Sequence, residues 1–255
     1  MKRSLFVAVA VFVAVLSLAT GAYAVPQTFF GEDAGIGEGT RQTSHPNADA
    51  AQASFLSNLI SPGTEDFEGF ADNTGTPLVI NFPGAGVTAT LQGTGSVQTV
   101  SSGTNGVGRF PISGDNYFET GSSFSILLSD PVAAFGFFAT DIGDFGGQVQ
   151  LTLLNGTTQV ITVPNSTNVT GGGVLYFAVI DTQNLFSEVQ FGNTAAGVDF
   201  FGFDDFTVGS VGQVVQSPTP SGGSTNVPEP SSMVLLGSAL AGLGAWRKRR
   251  VKPKE

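Results

Sequence analysis

The stretch Gln148-Val149-Gln150-Leu151-Thr152-Leu153-Leu154-Asn155-Gly156-Thr157-Thr158-Gln159-Val160-Ile161-Thr162-Val163 decides the fold class. Polar and apolar side chains alternate over 148–153 and again over 159–163, the period-two pattern of half-buried antiparallel strands. Asn155-Gly156 between them is the dipeptide that suits a tight hairpin turn, because both positions tolerate positive φ. Working outward, the same texture of short β-prone runs divided by Gly, Asn, Asp and Pro predicts strands at Leu78–Phe82, Val87–Gln92, Ser96–Val100, Gly108–Ile112, Tyr117–Thr120 and Ser123–Leu128. It continues at Ala133–Ala139, Val174–Ile180, Glu188–Phe191 and Phe201–Val208. The run Ala133-Ala134-Phe135-Gly136-Phe137-Phe138 is apolar on both faces and belongs in the middle of a sheet, where Gly136 leaves room for a neighbouring aromatic. Many short strands with no helices between them mean an all-β chain, a β-sandwich or jelly roll.

Upstream of the strands, Phe29-Phe30 and Gly31–Gly39 read as a loop, and Asn47 is placed to cap one short helix over Ala48–Ile60, ended by Ser61-Pro62-Gly63. The predicted organisation is a leader over 1–24, an N-terminal extension with that helix over 25–63, a β-sandwich over 64–212, a linker over 213–226 and a C-terminal segment over 227–255.

Composition removes whole function classes. The 255 residues include 35 Gly, 22 Phe and no Cys, so disulfides, thiol nucleophiles and cysteinyl metal centres are excluded. Residues 25–227 hold 18 acidic side chains and only two basic ones, Arg41 and Arg109, a formal charge of −16. A surface that neutralises phosphates needs clustered Lys and Arg, so nucleic acid is not an expected partner.

The basic residues sit at the two ends. Lys2 and Arg3 precede an apolar run from Leu5 to Leu18 and an Ala22-Tyr23-Ala24 cleavage site, the layout of a secretory signal peptide. At the other end the Pro/Ser/Gly/Thr segment Ser217–Asn226 leads into Val227-Pro228-Glu229-Pro230, the apolar run Ser231–Trp246 and Arg247-Lys248-Arg249-Arg250. A helix over 231–246 would rise about 24 Å, slightly short of a ~30 Å hydrocarbon core, with Trp246 at the interface and a basic tail over 247–254 on the cytoplasmic side. Such a helix suits a transient transmembrane anchor.

This order of proline motif, short helix and basic end resembles the PEP-CTERM sorting signal of exported bacterial proteins. The resemblance implies recognition through Pro228, Glu229 and Pro230, retention through Arg247, Arg249 and Arg250, and an exosortase-type membrane protease as partner. It also implies delivery to the cell surface or extracellular matrix of polysaccharide-producing bacteria. The body, from Asp66-Phe67-Glu68-Gly69-Phe70 to Gly202-Phe203-Asp204-Asp205-Phe206, looks like the jelly-roll domains that accompany such tails.

The catalytic inventory is thin. The only histidine, His45, lies in a polar loop, no Ser sits in a G-x-S-x-G elbow, and the Gly-rich stretches lie outside any βαβ unit. Carboxylates are plentiful: Glu65, Asp66 and Glu68, Asp141 and Asp144, Asp204 and Asp205. A glycosidase or lyase using two of them is the alternative function. Against it, the mature body has no Trp, and Tyr117 and Tyr176 are its only tyrosines. Hard cations are another use for acids at the two ends of a sandwich: DFEGF and GFDDF look like the arrangement in which Glu68, Asp204 and Asp205 hold one structural calcium. The expectation is a non-enzymatic exported protein with no catalytic residues, interacting with polysaccharide or another surface polymer.

Overall fold

The computed structural model describes residues 26–215 apart from 122, 157 and 196–198. The expected leader over 1–24 and the sorting segment with the helix expected at 231–246 lie outside the described residues. Two compact units divide the chain, Met1–Val215 and Gln216–Glu255, and the described residues all belong to the first.

Alternation becomes strand wherever one face can be buried. The described residues form strands β1 (Gln27–Asp33), β2 (Gly63–Glu65), β3 (Leu78–Phe82), β4 (Val87–Gly93), β5 (Ser96–Thr99), β6 (Asn116–Gly121) and β7 (Phe124–Val132). After these come β8 (Ala134–Thr140), β9 (Val149–Leu154), β10 (Thr158–Thr162), β11 (Val174–Ile180), β12 (Phe186–Asn193) and β13 (Phe200–Gly209), and the one α-helix among them is α1 (Pro46–Leu56). The first sheet runs β1-β11-β8-β13-β6-β5, with β2 also paired to β13, and the second runs β10-β9-β12-β7-β4-β3. Every pairing in both is antiparallel. The result is a two-layer β-sandwich.

Between the layers lies a phenylalanine core. Phe124 stacks on Phe191 at 4.2 Å between ring centroids, and Phe203 meets Phe191 edge-on at 5.2 Å. Such offset and edge contacts add to the area each ring buries. Both faces of β8 and β11 are buried along their whole length, as the doubly apolar run 133–138 requires. A Cβ on Gly136 would lie 2.5 Å from the Tyr176 hydroxyl and 3.1 Å from Phe55, so the glycine does make the space that the aromatic occupies.

Several expectations need correction. β1 is a strand where a loop over Gly31–Gly39 was expected, because pairing with β11 buries Gly31 and Asp33. Gly108–Ile112 is not a strand: the segment crosses the outside of the first sheet, with Phe110 buried beside Phe138 in a second small core. The helix spans 46–56, not 48–60, and Asn47 does not cap it. Instead the Asp33 carboxylate, at the end of β1, accepts Asn47 N at 3.0 Å and Ala48 N at 2.9 Å. A remote carboxylate thus satisfies amides that the helix's first turn leaves free, and favours the positive end of its dipole. Beyond Leu56 the chain turns, and Leu59 bridges to Val214. Residues 27–63, expected as an extension, contribute β1, α1 and the first residue of β2 to the sandwich.

Candidate functional site

The two outer faces of the sandwich differ. On the seven-stranded sheet, α1 packs across β1, β11 and β8. The segment after β5 closes over β13 and is held there by acids. β13 shifts register between Asp204 and Thr207, and Asp205 takes a left-handed φ of 49° in this bulge. Buried Asp204 accepts Ile112 N at 2.7 Å and Ser113 N at 3.0 Å, while Asp205 accepts the Ser113 hydroxyl at 2.8 Å. Glu68 accepts Asp115 N at 2.8 Å and Asn116 N at 2.6 Å. Gly114 has φ 54°, and a Cβ there would come within 2.3 Å of the Glu68 carboxyl carbon, so this turn accepts only glycine.

The three acids expected to form a metal site are therefore brought to one segment, 112–116, and act on its amides. Burial raises the Asp204 carboxyl well above the usual range, and Asp205 beside it raises it further. Burial likewise raises Asp205, helped by Asp66 and Glu68. Among the described residues no group of three or more His, Cys, Asp or Glu is arranged to hold a metal ion. The bonds above use one oxygen of Glu68 and one of Asp205, leaving Glu68 Oε2 and Asp205 Oδ2 as the donors a hard cation would take.

A second cluster gathers around Arg109. Its Nε donates to Glu119 Oε2 at 2.8 Å and its Nη1 to Asp141 Oδ2 at 3.1 Å, and the guanidinium lies 5.9 Å from the Phe200 ring centroid. Asp141, with φ 65°, also accepts Gly172 N at 3.2 Å. Burial is the main cause that lifts its carboxyl to about 6; Asp144 and Asp199 add to it, while the Gly172 amide and Arg109 oppose. Asp144, also expected as a catalytic candidate, is exposed nearby and is raised by burial and by Asp199 and Glu38. His45 contacts Asp49 Oδ1 at 2.7 Å and sits edge-on to Phe138 at the start of α1.

The six-stranded sheet carries none of these clusters on its outer face, and α1 packs only on the other sheet. Register sets its outward side chains in rows. One row crosses all six strands as Val79, Thr90, Leu127, Glu188, Leu154 and Thr158. The next runs Gln92, Ser125, Gln190, Thr152 and Val160. Val79 and Val160 are each 57% exposed and Leu127 is 44% exposed. Glu188 is the only charged side chain in the two rows, and its Oε1 accepts Gln190 Nε2 at 2.9 Å. No aromatic side chain lies in either row.

The tail supplies a family match. Residues 226–250 match the PEP-CTERM protein-sorting motif. The chain is accordingly an exported protein carrying a PEP-CTERM sorting signal, and the motif covers Pro228, Glu229, Pro230, Arg247, Arg249 and Arg250, all outside the described residues. No curated protein matches the chain. Among solved structures, the K2 cleaved adhesin domain of Lys-gingipain is 14% identical, with a TM-score of 0.37 over 58% of this chain and 97% of that one. The C-terminal family 22 carbohydrate binding module of Clostridium thermocellum Xyn10B is 15% identical, with a TM-score of 0.35 over 62% and 98%. TmCBM61, solved with β-1,4-galactotriose, is 17% identical, with a TM-score of 0.25 over 59% and 96%.

Sequence reasoning picked out acids and passed over the open face. Its side chains, Thr, Gln, Ser, Val and Leu, carry no chemical signature one at a time, and they become a surface only when register lines them up. The alternation in 148–154 and 158–163 was the available signal, because it names which residues point outward.

Proposed function

We propose that this exported protein binds a neutral polysaccharide of the cell surface or matrix across the open face of its six-stranded sheet. The observation that carries the reading is the row Val79-Thr90-Leu127-Glu188-Leu154-Thr158, in which apolar and polar side chains alternate from strand to strand. Neighbouring strands lie about 4.8 Å apart, so the apolar members recur every second strand, at roughly 9.6 Å. An extended β-1,4-linked chain turns over at each sugar and presents the same C–H face at every second one. Its apolar patches can therefore follow Val79, Leu127 and Leu154, with hydroxyls directed to the Thr, Ser and Gln side chains between and beside them. The face has no Lys or Arg, and the body's formal −16 charge opposes polyanions such as uronates.

Of the carboxylates named for hydrolysis, Glu68, Asp141, Asp144, Asp204 and Asp205 fall in the two clusters described above, away from this face, and Glu65 is engaged by the backbone amide of Asn81 at the β3 edge, which supports binding without catalysis. Export would be completed by an exosortase-type protease acting near Pro228–Pro230, after transient anchoring by the tail. Retention of the full chain by insoluble neutral β-1,4 glycans, in a sedimentation assay, tests the binding reading. Leu127→Asp, an exposed position, is expected to lower retention about tenfold or more. Undiminished retention of that variant, or retention by alginate alone, would overturn the proposal.

A further inference from the structure

A two-layer sandwich has four sheet edges, and three of them here are guarded. β5 is covered by the preceding segment, where Thr74 O accepts Val97 N at 2.9 Å, Asn73 N donates to Val97 O at 2.8 Å and Asp72 accepts Thr99 N at 3.0 Å. On β3 the outward Asn81 N is taken by the Glu65 carboxylate at 3.2 Å, and Gly63 of β2 packs against Phe82. β1 begins after Pro26, carries Glu32 and Asp33, and has its Glu32 carbonyl bonded by Asn47 Nδ2 at 3.2 Å. Proline, charge and covering segments are the usual devices against edge-to-edge pairing.

Among the described residues, β10 has none of them. Its sequence Thr158-Gln159-Val160-Ile161-Thr162 contains no charge, no proline and no bulge; it pairs with β9 on one side, and Thr158, Val160 and Thr162 are exposed. We propose that β10 pairs with β10 of a second copy of this chain, forming a two-fold dimer with one continuous twelve-stranded sheet. Antiparallel pairing about Val160 sets Val160 opposite its own equivalent and Thr158 opposite Thr162, so a two-fold axis opposes no like charges. This matters in a body with 18 acidic side chains and two basic ones, where most self-contacts would set acid against acid. β10 supplies a strip of the surface on which a copy can approach without that repulsion. The dimer also joins the two open faces in one plane.

Sedimentation velocity on the full chain in detergent tests the proposal. The wild type is expected to show a concentration-dependent dimer that strengthens with salt. Val160→Lys and Val160→Glu are each expected to weaken it about tenfold or more by placing like charges opposite each other, while melting as the wild type does. Mixing the two variants is expected to restore a dimer, now a heterodimer, which loss of folding or pairing of the tails would not produce. A monomeric wild type, a dimer that both variants leave intact, or a mixture that stays monomeric would each overturn it.

Discussion

Lowering the pH from 8 to 5 should stabilise this protein, and Asp141 should account for a measurable part of the gain. Asp141 is 7% exposed, and burial first, then Asp144 and Asp199, lift its carboxyl in the folded state from 3.8 to about 6. A carboxyl whose folded value lies above its unfolded one binds a proton more tightly when folded. Its contribution therefore grows as pH falls through about 6 and is complete below the unfolded value. Over the interval from pH 8 to 5 this one group contributes about 1.4 kcal/mol. For a domain of this size that is a rise of roughly 3–6 °C in Tm, at about 2–4 °C per kcal/mol. Glu65, Asp144, Asp204 and Asp205 are raised as well and act in the same direction, so the diagnostic quantity is a difference between proteins. Differential scanning calorimetry in the presence of a chelator, at pH 8 and pH 5, should show Asp141→Asn gaining less than the wild type by that amount. Equal gains in the two proteins, or a wild type that melts lower at pH 5, would refute the assignment of proton uptake to Asp141.

Two other perturbations probe the carboxylates that hold backbone. Asp33→Ala removes the acceptor for Asn47 N and Ala48 N and should cost about 1–2 kcal/mol, the range for losing a helix N-cap; helical circular dichroism and Tm should fall together, and Asp33→Asn should recover most of both. Calcium binding is proposed through Glu68 Oε2 and Asp205 Oδ2 alone, since both oxygens of Asp204, the third acid expected there, are taken by the amides of Ile112, Ser113 and Asp205; it should raise Tm by about 5–11 °C at one hundred times Kd. Equal responses to Ca²⁺ and Mg²⁺ at matched ionic strength, or a calcium response surviving in both Glu68→Ala and Asp205→Ala, would remove that site.

What the sequence disclosed followed from how local each signal is. The hairpin at Asn155-Gly156 was legible because alternation and turn chemistry occur within one short stretch, and β9 and β10 meet there as expected. β1 was hidden because its identity depends on β11, more than a hundred residues away: Phe29, Phe30 and Gly31 become strand only on meeting Ala178, Phe177 and Tyr176. The Asp33 cap was hidden for the same reason, since a capping residue is looked for beside the helix and this one arrives from the neighbouring strand. Phe110 misled in the opposite direction, since its burial comes from lying over the sheet and not from belonging to it. The acids of DFEGF and GFDDF were grouped on the sequence as ligands of a cation, while the amides of 112–116 that they hold could be seen only in three dimensions.

The pairing of the first strands with the last has a consequence for the order of events during export. Asp33 meets Val174, Gln27 meets Ile180, and Gly63–Glu65 meet Phe206–Val208. A chain delivered from its N-terminus cannot close either contact until residues beyond 170 and 200 have followed. Bringing such distant segments together is slow compared with forming local hairpins. During passage the early segments consequently remain without their partners, and a thread of this kind can move through a narrow channel where a finished sandwich could not. Completion of the seven-stranded sheet waits until β13 has arrived.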